Sequence, residues 1–278
     1  LGGYYWFQWQ QAHSLYQQAQ TAYQQKNYPQ ALELCRKITP GQLRMLPKLE
    51  QAKILIHAGN CLYEMEKYSD SIDYFARAAK IVEKNDLLTY IAAPTQLYNR
   101  WGEGYEAGKQ YSKAEKIYIR GLKRIGAEFG EVYPGVALMH ARLGQIFLKT
   151  NKNNDGLIFL KKAIGNNAFW KSQDDSSKAS FFNRLGEAYY YNNKLDDAVK
   201  AYKECLLYTS KSSGEKSGKI SVVYVGLAQV YYKQNKKDQA INALNISYEI
   251  MKEKHDLNYQ ATQKIAALRD TWKKEAKE

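Results

Sequence analysis

The sequence predicts an all-α protein: a right-handed superhelical solenoid of six helix pairs, followed by a C-terminal capping helix. Three observations support this prediction. One pattern of small and large residues recurs six times along the 278 residues, at intervals of 40 to 43. A polar turn separates two apolar runs in each copy, as Asn192-Asn193-Lys194 does within Leu185–Cys205. The chain has only five prolines and few β-branched runs, a composition that favours helices.

Three positions define the repeat. A small residue lies in the first apolar run of each copy: Ala19, Gly59, Gly102, Gly144, Gly186 and Ala228. A second small or near-small residue follows: Ala31, Ser71, Ala114, Gly156, Ala198 and Ala240. A larger residue comes next: Cys35, Phe75, Tyr118, Leu160, Tyr202 and Leu244. Two antiparallel helices cross closely only where small side chains meet. Because one pair cannot bury its apolar faces alone, the pairs are expected to stack around a continuous core.

The elements follow one another along a single predicted domain, residues 1–278. Pro47 and Pro134 suit the first turns of two helices, and Gly130 is expected to end another. The pairs are predicted at about 8–38, 47–84, 89–128, 134–166, 178–209 and 219–253. A lone charged helix at about 257–277 is expected to cap the open apolar end of the stack.

Two connections are predicted to be irregular. Residues 165–178 contain Gly165-Asn166-Asn167 and Asp174-Asp175-Ser176-Ser177, which indicate a longer loop and a helix cap. The segment Ser210–Gly218 is rich in serine and glycine, which predicts a flexible linker.

The charge balance is basic. The net charge is +13, from 41 Lys plus Arg against 28 Asp plus Glu. Such a surface favours acidic partners, for example acidic peptides, nucleic acid or anionic lipid. A nucleic-acid partner is not expected, since no block of like charges occurs, and a soluble, well-charged surface is the favoured explanation of the excess.

The first nine residues, Leu1–Trp9, are unusually aromatic. No apolar run in the chain reaches the roughly 18–20 residues that a membrane span needs. Because Trp and Tyr favour the membrane interface, this stretch could be the end of an anchor that precedes Leu1. The favoured interpretation is an aromatic plug that closes the first helix pair. Localisation is left open between cytoplasmic and membrane-tethered.

No motif for catalysis, metal binding or cofactor binding is recognised. The four histidines lack metal-ligand spacing: His13, His57, His140 and His255. The three cysteines, Cys35, Cys61 and Cys205, are far apart and form neither a disulfide framework nor a zinc site. The glycine-rich stretch 102–108 lies within a predicted helix and does not follow a strand. The protein is therefore expected not to be an enzyme and to need no cofactor.

The repeat resembles the tetratricopeptide repeat (TPR) family over nearly the whole chain. The third copy follows the family pattern closely, with Trp101-Gly102, Tyr105, Tyr111, Ala114 and Tyr118. The period of about 42 is longer than the usual 34, and similar long repeats occur in kinesin light chains. Residues 130–137 are similar to the Gly-x-x-His-Pro-x-Val-Ala loop of that subfamily, with tyrosine in place of histidine.

The resemblance implies a scaffold whose first helices line a concave groove that receives a peptide. By family geometry, fourteen residues are expected to face this groove: Asn99, Arg100, Glu103, Arg142, Gln145, Lys149, Asn183, Arg184, Glu187, Tyr190, Tyr191, Gln229, Tyr232 and Lys233. The family's clamp for two carboxylates is not matched, because Tyr16 and His57 stand where it has a basic residue and an asparagine.

Arg100, Arg142 and Arg184 recur at one repeat position, which predicts a ladder of guanidinium groups. Arginine binds carboxylates through two parallel hydrogen bonds, so the ladder is expected to orient acidic groups of a partner. The alternative is that these arginines pair with Glu103 and Glu187 of neighbouring helices and join the repeats.

The predicted function is that of a non-enzymatic adaptor that binds a peptide segment of a partner protein in the groove. One alternative is a sensor in which a peptide or metabolite tightens the superhelix. A further alternative is a structural subunit of a larger, membrane-tethered assembly. The oligomeric state is left open.

Overall fold

The computed structural model describes residues 2–214, 217–254 and 260–276, and these form helices and turns without a strand. The α-helices of these ranges are α1 (Gly2–Gln24), α2 (Tyr28–Lys37), α3 (Pro40–Met45), α4 (Lys48–Glu64), α5 (Tyr68–Lys84), α6 (Pro94–Ala107), α7 (Tyr111–Phe129), α8 (Pro134–Lys149), α9 (Asn153–Ile164), α10 (Asn167–Ser172), α11 (Asp175–Tyr191), α12 (Leu195–Ser213), α13 (Gly218–Lys233), α14 (Lys237–Lys254) and α15 (Gln260–Glu275). A 3₁₀ turn covers Leu88–Tyr90. The all-α prediction is confirmed, and each predicted pair is present as two consecutive helices.

Two compact units make up the chain. Unit 1 is Leu1–Ile146 and unit 2 is Phe147–Glu278. In unit 1, α1 packs on α2, α4 on α5 and α6 on α7; in unit 2, α11 packs on α12 and α13 on α14. The prediction that residues 1–278 form one domain stays a prediction.

Small residues meet large ones at the helix crossings of unit 1, as the repeat pattern predicts. A Cβ placed on Gly59 would lie 2.8 Å from the Phe75 ring, and one on Gly102 would lie 2.2 Å from the Tyr118 ring. Phe75 and Tyr118 are fully buried. The glycines therefore allow the first helix of each pair to pack directly on an aromatic ring of the second helix.

Unit 2 uses one tyrosine for two such contacts. A Cβ on Gly186 of α11 would lie 2.8 Å from the Tyr202 ring, and one on Gly226 of α13 would lie 2.7 Å from the same ring. Tyr202, on α12, therefore joins its own pair to the next one along the chain. The predicted large residue of the repeat thus packs between pairs as well as within one.

A three-residue turn with one left-handed residue joins the two helices of every pair. The residues with positive φ at these turns are Lys26, Glu66, Lys109, Asn151, Asn193 and Asn235. Each follows the small residue of its repeat by seven positions. Two backbone hydrogen bonds close each turn, as Glu66 N to Tyr63 O and Lys67 N to Leu62 O do after α4. This is the Schellman arrangement, which satisfies carbonyl groups at a helix end.

Changing Glu66 to glycine is expected to stabilise the protein by about 0.5 kcal/mol. The φ of Glu66 is 59°, and in this left-handed conformation a Cβ lies too close to the following carbonyl oxygen. Glycine has no Cβ and adopts the conformation without strain. Asn193→Gly is the matched control, because asparagine tolerates the left-handed region and should gain less. Urea unfolding of both variants checks this; an equal or larger gain for Asn193→Gly would contradict it.

The connections between pairs are more ordered than predicted. The predicted loop at 165–178 contains α10, whose first turn is capped by the Asn166 side chain. A second short helix, α3, begins with a capping box formed by Thr39 and Gln42. Side chains that hydrogen-bond the backbone supply these helix starts, and the small-residue pattern carries no information about them.

The prediction of a flexible linker at Ser210–Gly218 is wrong for its first four residues. Helix α12 continues to Ser213 and ends at Gly214, whose φ is +78°. Hydroxyl groups of Ser210 and Ser212 donate to carbonyl oxygens three residues earlier, which keeps serine compatible with the helix. Ser217 then caps α13, and residues 215–216 lie outside the described residues.

At the N-terminal end, the prediction of an aromatic plug that closes the first helix pair is only partly correct. Helix α1 begins at Gly2, and the side chains of residues 4–7 are more than half exposed. Trp9 alone of the aromatic stretch packs against the buried cluster that contains Ala12, Leu46 and Ile54. A helix presents only one face to the core, so residues 4–7 project beyond it. In the described ranges, no helix is both long and apolar enough to cross a membrane.

The predicted C-terminal helix covers the last pair. Helix α15 contributes Ile265 and Trp272 to the buried cluster that also contains Ala240, Leu244 and Met251. Apolar surface of α13 and α14 is thereby removed from water, which is the expected role of a capping helix. Residues 257–259 and 277 of the predicted range lie outside the described residues.

Candidate functional site

Two of the three predicted ladder arginines form ion pairs inside unit 1. Arg100, on α6, donates to Glu64 Oε1 at 2.8 Å and to Asn60 Oδ1 at 3.0 Å, both on α4. Its guanidinium also lies over the Tyr63 ring, 4.6 Å from the centroid. Arg100 thereby links its own pair to the preceding pair.

Arg142 makes the same kind of link one pair further on. Its guanidinium pairs with Glu103 and donates to Asn99 Oδ1 at 2.8 Å. The Glu103 carboxylate also accepts hydrogen bonds from the Tyr63 hydroxyl at 2.8 Å and from the Asn99 amide at 3.1 Å. The arginine side chain is 23% exposed and the glutamate 18%, so the charges are largely withdrawn from water.

The contacts of Arg100 and Arg142 follow from their shared repeat position. The residue two positions before the small residue reaches back to the first helix of the preceding pair. His57 occupies this position in the second pair, and its Nε2 lies 3.2 Å from the Ala19 carbonyl oxygen. Burial lowers the pKa of His57, which favours the neutral form of the ring in this contact. Thus three polar residues at one repeat position join successive pairs of unit 1.

The structure therefore places Asn99, Arg100, Glu103 and Arg142 together in one internal network. Gln145, which follows on α8, is buried. The alternative of arginines that join repeats is seen for Arg100 and Arg142, with Glu64 as a partner that the sequence pattern did not indicate. That these arginines orient acidic groups of a partner stays a prediction.

In unit 2, the predicted residues of α11 form a polar and aromatic surface. Asn183 donates to Glu187 Oε1 at 2.9 Å. Tyr190 and Tyr191 contact edge to face, with centroids 5.3 Å apart, and Tyr191 is 61% exposed. Lys233 of α13 lies over the Tyr190 ring, 4.8 Å from the centroid.

Neighbouring groups offset only part of the cost of burying the Glu187 carboxylate. Burial raises the pKa of Glu187 above its ordinary value of 4.5, and the Asn183 hydrogen bond and the Arg184 charge offset part of that rise. Because the folded state favours the protonated form, this group contributes stability below its unfolded pKa. That contribution is lost as pH rises through the folded-state pKa.

Three further predicted residues of unit 2 differ in their surroundings. Gln229 and Lys149 are exposed. Tyr232, in contrast, stacks on Trp272 of the capping helix with ring centroids 4.2 Å apart, and its hydroxyl donates to Glu275. The repeat position of Tyr232 indicates a groove-facing residue, but the capping helix already contacts it.

Unit 2 also contains a cavity, and few of the predicted site residues line it. This basic pocket, of about 260 Å³, lies between α11, α12 and α13 and is lined by Ser176, Ser180, Asn183, Arg184, Lys219 and Val222, among others. Only Asn183 and Arg184 were predicted. Ser180 and Val222 share a repeat position, six residues before the small residue, that the family offsets do not include. An apolar residue at this position, such as Val222, is a sequence signal that could have indicated the pocket.

A second cavity adjoins α13 on its other side. This apolar trough, of about 470 Å³, lies between α13, α14 and α15 and is lined by Val222, Val225, Met251, Lys264 and Ile265, among others. Val222 lines both cavities and is 63% exposed. The two cavities therefore meet at one exposed apolar side chain.

In the part of the chain that the structure describes, no cluster of His, Cys, Asp and Glu could hold a metal ion. Burial raises the pKa of Cys35 and of Cys61 to about 12, and it also raises that of Cys205. These thiols are protonated at neutral pH, and a protonated thiol is a poor nucleophile and metal ligand.

Comparison with known proteins supports the repeat assignment. Residues 177–253 match the family model described as Tetratricopeptide repeat. This range covers α11 to α14, the two pairs that carry the basic pocket and the Tyr190–Lys233 contact. The match thus falls on the part of unit 2 where the candidate site lies.

Solved structures extend the similarity to most of the chain. A putative kinesin light chain from Podosopora anserina with TPR-like repeats has a TM-score of 0.59 at 12% identity, covering 75% of this chain and 98% of its own. YrrB, described as a TPR protein with an unusual peptide-binding site, has a TM-score of 0.55 at 15% identity, covering 78% and 92%.

The signal-transduction ATPase PH0952 from Pyrococcus horikoshii, which has a TPR sensor, gives a TM-score of 0.67 at 15% identity. That match covers 94% of this chain but only 39% of PH0952. Identities this low show the fold alone. The fold is that of TPR solenoids, including those of the kinesin light chain type, and such proteins are typically protein-interaction scaffolds without catalytic activity.

Proposed function

We propose that the protein is a non-enzymatic scaffold that binds a peptide segment of a partner protein on the first helices of unit 2, α11 and α13. The observation that carries this proposal is the surface that the exposed side chains of Tyr191 and Lys233 form with the half-buried Tyr190. Tyrosine supplies a large contact area at a low cost in side-chain entropy, and it is enriched at the centres of protein interfaces.

The ion pairs of unit 1 support this placement. Arg100 and Arg142 already have internal acidic partners at hydrogen-bonding distance. A bound peptide would have to replace those partners before it gained a charge contact there. The tyrosines of α11, in contrast, offer contact area without breaking an ion pair. We therefore expect peptide binding to depend more on unit 2 than on Arg100 and Arg142.

Exchanging Tyr191, the exposed member of the tyrosine pair, for alanine is expected to weaken capture of a bound peptide at least about tenfold, the loss typical of residues at an interface centre. The measurement is affinity selection from a random peptide display library on the immobilised protein. Titration of the selected peptides by fluorescence anisotropy then gives the affinities of the wild type and the variant.

Leu207→Ala is the matched control, because Leu207 is also a large exposed apolar residue but lies on α12, the second helix of the same pair. Its peptide affinity should equal that of the wild type. Enrichment of no peptide by the wild-type protein would overturn the proposed function. Equal losses for Leu207→Ala and the tyrosine variant would overturn its placement on α11.

The second candidate function is a sensor that responds to a bound ligand, which the structural similarity to PH0952, a protein described as having a TPR sensor, supports. A ligand that tightened the repeats would raise the melting temperature and lower the radius of gyration. Small-angle scattering and thermal melting with the selected peptides check both changes. An unchanged radius with saturating peptide would leave the scaffold function and exclude the sensor.

A further inference from the structure

The basic pocket and the apolar trough present different chemistries on either side of Val222. The basic pocket combines hydroxyl and amide groups of Ser180, Asn183 and Ser212 with two cationic side chains. The apolar trough is lined mainly by carbon atoms, including those of Val225, Met251 and Ile265. One extended or helical peptide that crosses α13 at Val222 could reach both cavities.

The charge of these cavities has one sign. Three lining residues are cationic: Arg184 and Lys219 in the basic pocket and Lys264 in the apolar trough. None of the described residues that line either cavity is aspartate or glutamate. Lys219 and Lys264 are exposed, so their ammonium groups are accessible to a ligand. A positive, partly enclosed cavity attracts anionic groups more strongly than a flat surface of the same charge.

From this arrangement we infer that unit 2 selects a peptide that carries an anionic side chain next to a bulky apolar one. The anionic group lies in the basic pocket near Arg184 and Lys219, and the apolar side chain enters the trough beside Val222. This inference rests on the proposed peptide-binding function and adds to it a further contact area of the peptide, around Val222, and the chemistry that is recognised there.

Val222 connects the basic pocket to the apolar trough. Its side chain is 63% exposed and lines both cavities. A ligand that covers it removes apolar surface from water, which favours binding. An ion alone would fill the basic pocket and leave Val222 exposed. A peptide with both kinds of side chain uses the whole surface.

Sequencing the peptides enriched from the display library provides the test. The expected result is a recurring pair of one Asp or Glu and one large apolar residue. Binding of those peptides should weaken at least about tenfold in Lys219→Glu, which reverses a charge in the pocket, and in Val222→Asp, which places a charge on the trough. Both residues are exposed, so the variants should fold, and thermal melting verifies this.

Matched controls lie on the second helix of the neighbouring pair. Lys203→Glu makes the same charge reversal and Leu207→Asp the same apolar-to-acidic change, both at exposed positions of α12. Peptide affinity should be unchanged in both. Enriched peptides without the acidic and apolar pair, or equal binding by Lys219→Glu and the wild type, would overturn the inference while leaving the proposed function intact.

Inorganic phosphate distinguishes the source of the anionic group. Displacement of the selected peptide by millimolar phosphate, with no dependence on the apolar residue of the peptide, would show a site for small free anions and overturn the inference. Resistance to phosphate, together with loss of affinity when the apolar residue of the peptide is changed to serine, would support it. Enrichment of no peptide at all would overturn the proposed function and this inference with it.

Discussion

Gly102→Ala is expected to lower the free energy of unfolding by about 1–3 kcal/mol, although alanine is the better helix former. The added Cβ would lie 2.2 Å from the Tyr118 ring, a distance that real Cβ contacts do not show. Tyr118 is fully buried, and its hydroxyl donates to Glu106 Oε1 at 2.6 Å, so the ring cannot swing aside freely. Separation of α6 from α7 is the remaining response, and it opens the core.

Urea unfolding, followed by circular dichroism, measures this loss. Gly3→Ala is the matched control, because Gly3 is also helical but has no atom within 4 Å of the added Cβ. That variant should be unchanged or slightly more stable. Combining Gly102→Ala with Tyr118→Leu should recover part of the loss, since leucine vacates the clashing ring positions. Wild-type stability of Gly102→Ala would contradict the assigned packing.

Arg142→Ala is expected to lower the free energy of unfolding by about 3 kcal/mol. Glu103 would keep its hydrogen bonds from Tyr63 and Asn99 but lose its cationic partner. Removing one member of a largely buried ion pair leaves an uncompensated charge, which costs more than the pair itself contributes. The loss should be smaller in the double variant Arg142→Met with Glu103→Leu, since no unpaired charge remains.

Arg77→Ala serves as the control for the general effect of losing an arginine. Its partner Asp73 lies on the same helix, four residues earlier, and both side chains are more than half exposed. Exposed pairs of this kind contribute about 0–1 kcal/mol, so its stability should be close to that of the wild type. Equal losses for Arg77→Ala and Arg142→Ala, measured by urea unfolding, would show that burial does not set the cost.

The expected loss of stability also affects the interpretation of binding experiments with variants of Arg100 and Arg142. A variant that lacks Arg100 and Arg142 would weaken the contacts that join the pairs of unit 1, whether or not either residue touches a partner. Weaker partner capture by such a variant can therefore arise from destabilisation. The exposed side chains of Tyr191, Lys219 and Val222 test peptide recognition more directly, because their replacement leaves the core intact.

The helix pairs follow directly from the amino-acid sequence. Helix crossings depend on small residues at fixed local spacing, and Gly59, Gly102 and Gly186 each pack against an aromatic ring within the same pair. The turns follow the same local rule, since the left-handed residue comes seven positions after the small residue in all six copies. Spacing of this kind is visible in the sequence because both partners lie within one repeat.

The surroundings of each repeat position depend on tertiary packing. Arginine at one repeat position could equally meet solvent or a glutamate, and stacking brings Arg100 to Glu64 and Arg142 to Glu103. The capping helix likewise covers Tyr232, while Tyr191 at the adjacent face remains exposed. These contacts join residues of different helix pairs, so they depend on how the pairs stack. Local spacing does not encode that stacking, and the basic pocket beside Val222 is formed by it.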